Sequence, residues 1–172
     1  MTQPTEEQRA SLDGALRVDD RPLNIFATLA HHPALLTRFS RFGGYLLVRG
    51  LLPAREREIV ILRVGWRSGS VYEFGQHTII GRGVGLTDDE IARLARDGDA
   101  DWSAEDAALV ALADELCATN TVSDATWAAL ASRWGHPELV ELLVLAGFYR
   151  LVSGFLRAAG VELDPGVPGW PS

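Results

Sequence analysis

Ser70-Val71-Tyr72-Glu73-Phe74-Gly75-Gln76-His77 brings a hydroxyl, a phenol, a carboxylate and an imidazole into one short stretch. On a helix, Glu73 and His77 are four apart and project from the same face, with Ser70 one turn earlier. A carboxylate beside an imidazole can divide the work of proton transfer. Tyr72 projects about 100° away from Glu73, so its role in such a site is less direct. Two other chemistries are open to the same residues. Glu73 and His77 could form one edge of a metal site, but a stable site needs three or four ligands. The other histidines are His31, His32 and His136, and no metal is expected. Ser70 would need a histidine and a carboxylate in relay to act as a nucleophile, and no such relay is identifiable. A helix cap is its simpler reading.

Each candidate also has a structural account. Glu73 could pair with Arg82 or Arg63, and His77 could be a core histidine bonded to a carbonyl. Glu58 could pair with Arg55 or Arg63 on its own helix. In a site, Arg63 or Arg82 would orient a substrate carboxylate. Trp66, just ahead of the stretch, would wall a pocket.

The elements that must position these groups read as helices throughout. Pro33 suits a first helical turn, followed by Leu35, Leu36, Phe39, Phe42, Leu46 and Leu47 at helical spacing. Gly43-Gly44 inside that run predicts close approach of another helix or of a ligand. Residues 54–67 carry Ile59, Leu62 and Trp66 with charges between them, and Ser68-Gly69 is a break. Ser70 caps the next helix, which Gly81, Gly83 and Gly85 end. Thr87-Asp88-Asp89-Glu90 is a capping box, with Leu86 and Ile91 as its hydrophobic staple. Further helices are expected at Ser103–Ala118, Ser123–Trp134 and Pro137–Ala159, the last stopped by Gly160. No strand pattern of useful length and no repeat is visible. The fold class is all-α: a flexible arm over 1–20, one domain over 21–160 and an extended tail over 161–172. The Leu139–Leu156 stripe reads as a core or subunit contact.

Composition sets the class of partner. The chain has 172 residues, 47% of them hydrophobic, and a net charge of −7. That balance argues against a nucleic-acid partner; the expected partner, a small-molecule substrate, follows from the acid/base residues instead. The single cysteine, Cys117, excludes an internal disulfide and a Cys-x-x-Cys pair. Thr2 to Asp20 is too polar for a signal peptide, and Glu141 and Arg150 interrupt the most apolar run. A cytoplasmic protein without a membrane span is the expectation.

The run Arg57-Glu58-Ile59-Val60-Ile61-Leu62-Arg63-Val64, then Tyr72-Glu73 and Gln76-His77, then Gly85-Leu86-Thr87-Asp88-Asp89-Glu90-Ile91, resembles the carboxymuconolactone decarboxylase family, which includes the alkylhydroperoxidase-D-like proteins. The likeness spans roughly residues 23–160. The redox branch carries Cys-x-x-Cys-x-x-x-His on this helix, with a glutamate twelve residues ahead. In that frame the cysteine positions fall on Ser70 and Glu73, the histidine on His77, the upstream glutamate on Glu58, and Tyr72 lies between the cysteine positions. A hydroxyl and a carboxylate cannot reduce a peroxide by thiol–disulfide exchange, so peroxidase activity is disfavoured. The decarboxylase branch implies no metal or organic cofactor and a small acidic lactone handled by proton transfer. It also implies Glu58, Glu73 and His77 as the acid/base set, with two close carboxylates raising one pKa. It further implies a helical bundle assembled as a homo-oligomer, trimer or hexamer. A pocket that binds without turning over is the non-enzymatic alternative.

Overall fold

The computed structural model describes residues 5–98 and 101–171. Nine helices and one small hairpin occur among them: α1 (Glu6–Ser11), β1 (Arg17–Val18), β2 (Arg21–Pro22), α2 (Asn24–Leu29), α3 (Pro33–Val48), α4 (Ala54–Arg67), α5 (Val71–Gly83), α6 (Asp88–Leu94), α7 (Ala104–Thr119), α8 (Asp124–Ala131) and α9 (His136–Ala158).

Local chemistry starts these helices where the sequence predicts. Ser70 Oγ accepts from the Glu73 amide at 3.4 Å, and Ser103 and Ser123 cap α7 and α8 in the same way. Thr87 and Glu90 form the reciprocal capping box of α6. Gly160, at φ +62°, follows α9. α8 stops at Ala131, three residues short of the expected Trp134.

α4 is the axis of the bundle. It packs against α5, α7 and α9, and every residue from Arg57 to Gly65 is buried. A helix buried all round is hydrophobic by default, so the buried Arg57, Glu58 and Arg63 each need a specific partner. The main core gathers Ile59, Leu62, Phe74, Leu109, Leu142 and Leu145. A smaller cluster of Ile25, Leu29, Leu36, Tyr72, Val152 and Leu156 joins α2, α3, α5 and α9. Gly43 lets α3 approach α9: a Cβ there would lie 3.3 Å from the Phe148 ring.

Two features, a helix and a hairpin near the N-terminus, differ from expectation. The stretch read as a flexible arm contains α1, which rests on α3, and β1, which pairs with β2 just beyond it. Each strand has two residues, too short for an alternating pattern. Its turn is made by Asp19 and Asp20, both at positive φ. The Leu139–Leu156 stripe faces this chain's own interior, through Leu139, Leu142, Leu145, Tyr149, Val152 and Leu156. Exposed Val140, Val144 and Leu151 lie elsewhere on α9. α9 is long and apolar enough to cross a membrane by length and composition, and half of that apolar window is buried inside the bundle.

The tail has no helix, yet it is docked. Trp170 packs against Trp66 and Phe74, with both ring centroid separations 5.2 Å. Pro168 lies so close to α5 that a Cβ on Gly75 would overlap its carbonyl oxygen.

Candidate active site

Glu58 comes from α4, and Glu73 and His77 from α5. The packing of these two helices brings all three together. His77 Nδ1 lies 2.5 Å from Glu58 Oε2, and His77 Nε2 lies 3.1 Å from Glu73 Oε1. Arg57 Nε donates to Glu58 Oε1 at 3.2 Å. The order is therefore guanidinium, carboxylate, imidazole, carboxylate. The imidazole stands between the two carboxylates that the sequence reading set side by side. With both ring nitrogens facing carboxylate oxygens, the doubly protonated ring satisfies both contacts. Burial alone would lower the His77 pKa. The charge and hydrogen bond of Glu58, followed by those of Glu73, outweigh burial and raise it to about 10.

Only part of this chain of charges reaches open space. A cavity of about 680 Å³ lies among the N-terminal segment, α2, α3, α5 and α9. Glu73 and His77 line it, whereas Glu58 and Arg57 do not. Glu58 is fully buried, so it addresses the cavity through His77. Glu73 Oε2 has no hydrogen-bond partner among the described residues.

Tyr149 of α9 completes this end of the cavity. Its ring meets His77 edge to face at 5.0 Å. Burial, then the charges of Glu73 and Glu58, push its phenol well above 10, so it stays a neutral donor. Periodicity marked Tyr149 as a packing residue, and nothing in its neighbours distinguished it from one. Its place beside His77 comes from the α5–α9 crossing.

The other expected site residues lie elsewhere. Tyr72 lines the cavity with its ring, but its hydroxyl donates to Asp164 Oδ2 at 2.5 Å and accepts from the Ile25 amide at 3.2 Å. Ser70 is the buried cap of α5 and lines no part of the cavity. Trp66 packs on the tail. Arg63 holds Asp114 through two nitrogens, at 2.5 and 2.7 Å, and donates to the carbonyls of Leu94 and Arg96. It lines a separate cleft. Arg82 is exposed and pairs with Asp88 at 2.6 Å. Arg63 is five residues past Glu58, and Arg82 five past His77. Five residues turn a helix by about 140°, which points both arginines away from the site. Gln76 and Asp164 had been given no role: Gln76 lines the cavity and donates to Asp164 at 2.8 Å. Among the described residues, no group of three or more His, Cys, Asp or Glu is arranged to hold a metal.

Residues 33–115 match the family model described as "Carboxymuconolactone decarboxylase family". Over those residues the chain belongs to the carboxymuconolactone decarboxylase family. Solved structures agree on the fold of the family. An uncharacterized peroxidase-related protein from Silicibacter sp. TM1040 superposes with a TM-score of 0.83 at 15% identity, over 97% of this chain and 90% of its own. An alkylhydroperoxidase AhpD core protein from Ralstonia eutropha JMP134 gives 0.77 at 20% identity, over 95% and 92%. A debrominase in complex with 2,3,4-tribromopyrrole gives 0.68 at 11% identity, over 92% and 82%. No curated protein sequence matches this chain significantly. The family match covers Glu58, Glu73 and His77 and ends before α9. The Tyr149 wall therefore lies outside the matched residues.

Proposed function

We propose that this protein is a cofactor-independent acid/base enzyme, an isomerase or lyase, acting on a small carbonyl- or lactone-bearing substrate. The observation that carries this reading is the unpartnered Glu73 oxygen in the cavity, backed by His77 and Glu58. Glu73 takes a proton from carbon next to the carbonyl. The electron pair moves onto the carbonyl oxygen, and the Tyr149 hydroxyl donates to the enolate that forms. Returning the proton to a second carbon completes an isomerisation. His77, as imidazolium, orients Glu73 and keeps a positive charge beside it. Glu58 and Arg57 hold His77 in that state and act as positioning residues.

Decarboxylation of a free acid has weaker support, because Arg63 and Arg82 are engaged elsewhere and the arginine that does line the cavity, Arg41, is exposed rather than buried beside Glu73. Thiol-dependent peroxide reduction is also disfavoured. Ser70 and Glu73 stand where a reactive pair would be needed, and Cys117 is half-buried on α7, with burial raising its pKa. Exposed Val140, Val144 and Leu151 on α9, with Phe42, Tyr45 and Val48 on α3, support homo-oligomeric assembly.

The test is solvent deuterium uptake into a panel of enolisable lactones and cyclic enones, followed by mass spectrometry. Uptake by the wild-type protein that Glu73→Gln abolishes supports the reading. Ligand binding with no uptake by either protein favours a non-catalytic binding protein instead.

A further inference from the structure

The cavity walls specify more than the reaction class. Its volume of about 680 Å³ falls within the ordinary range for a small-molecule site. Its body is apolar, built from Ile25, Leu36, Phe39, Ile80, Phe148 and Val152. Phe39 and Phe148 lie 5.2 Å apart, and Phe148 rests on Gly43. Such walls favour a flat ring.

The charges are the discriminating feature. Arg41 and Asp13 also line the cavity, but both are exposed. The buried charged residues of the lining are Glu73 and His77, and His77 faces a carboxylate on each nitrogen. Tyr72 has its hydroxyl committed to Asp164. A ligand carboxylate buried at the Glu73 end would meet that charge without a free buried cation, and an unpaired buried charge is heavily penalised. A neutral O–H can donate to Glu73 Oε2 and accept from Tyr149.

We infer that the site takes an uncharged, largely apolar ring compound with one hydroxyl or enolisable carbonyl at the Glu73–Tyr149 end, and excludes its carboxylate isosteres. This rests on the reading of Glu73 as the group that meets substrate.

Calorimetric titration of the full chain with 4-propylphenol, 4-propylanisole and 4-propylbenzoate tests the inference without turnover. The phenol should bind. The anisole, which cannot donate, should bind about ten- to a hundredfold more weakly. The benzoate should show no binding, and Glu73→Gln should narrow the gap between benzoate and phenol. Ile80→Trp, which fills the cavity, should abolish phenol binding while the far-ultraviolet circular dichroism stays unchanged. Benzoate binding as tight as phenol, no phenol binding at all, or phenol binding that survives Ile80→Trp overturns the inference. Deuterium uptake judges the acid/base reading separately. Uptake with no phenol preference sinks the ligand class alone, and phenol preference without uptake sinks the reaction alone.

Discussion

Glu58 reaches the cavity only through His77: its Oε2 lies 2.5 Å from His77 Nδ1 while its own side chain is wholly buried. The glutamate therefore orients and charges the imidazole from behind, and the cavity side is left to Glu73 and Tyr149. This arrangement makes Glu58, Glu73 and His77 separable by mutation.

Glu73→Gln removes the base and keeps the shape. Turnover should fall by about 10²–10⁴-fold, with folding intact. Initial rates on any substrate that exchanges deuterium, alongside a thermal melt, check both halves of this expectation.

Glu58→Ala should cost stability more than it costs binding. It leaves the buried Arg57 guanidinium without its carboxylate and the His77 imidazolium with Glu73 alone, a change worth about 3–5 kcal/mol. Glu58→Gln, which retains a hydrogen-bond acceptor, should lose less. Urea unfolding midpoints would show the order, and equal losses would mean that the charge contributes nothing.

The His77 pair makes stability depend on pH with a definite sign. The folded-state pKa is raised from 6.5 to about 10. The folded protein therefore binds the proton more tightly than the unfolded chain. This contribution is present in full below about pH 6.5 and is lost as pH rises towards about 10. Unfolding free energy measured from pH 6 to pH 10 should decline, and in His77→Gln that decline should flatten. An identical decline in the variant would assign it to other groups.

Asp164 ties the tail to two helices, α2 and α5. It accepts from the Asn24 amide at 2.9 Å, from Tyr72 Oη at 2.5 Å and from Gln76 Nε2 at 2.8 Å. Burial, reinforced by the Asp164 hydrogen bond, raises the Tyr72 pKa above its ordinary 10, so the phenol remains the donor. Asp164→Ala should free the tail, expose Trp170 and accelerate proteolysis after residue 160. Fluorescence quenching and limited digestion would report both effects.

Gly75→Ala tests the same strap from the opposite side. The added methyl overlaps the Pro168 carbonyl, so the tail or α5 must move. Loss of the Trp66–Trp170 contact, with α5 still capped by Ser70, is the expected outcome. Near-ultraviolet circular dichroism checks it.

Much of this was readable along the chain because its causes are local. Caps at Ser70, Thr87, Ser103 and Ser123 act within three residues, and helical periodicity needs only the sequence. The Glu73–His77 pair is a property of one helix turn. Tyr149 and Asp164 lie 72 and 87 residues beyond His77 in the sequence, and neither carries a local mark. Their roles depend on the α5–α9 crossing and on a tail folded back across α5. Arg63 and Arg82 show the converse. Their nearness in sequence invited a role that about 140° of helical rotation then denied them. One-dimensional spacing states which groups can share a face. Which faces meet, and which charges are already partnered when they do, follows from packing, because burial allows each buried ion only the partners that the assembled helices bring within reach.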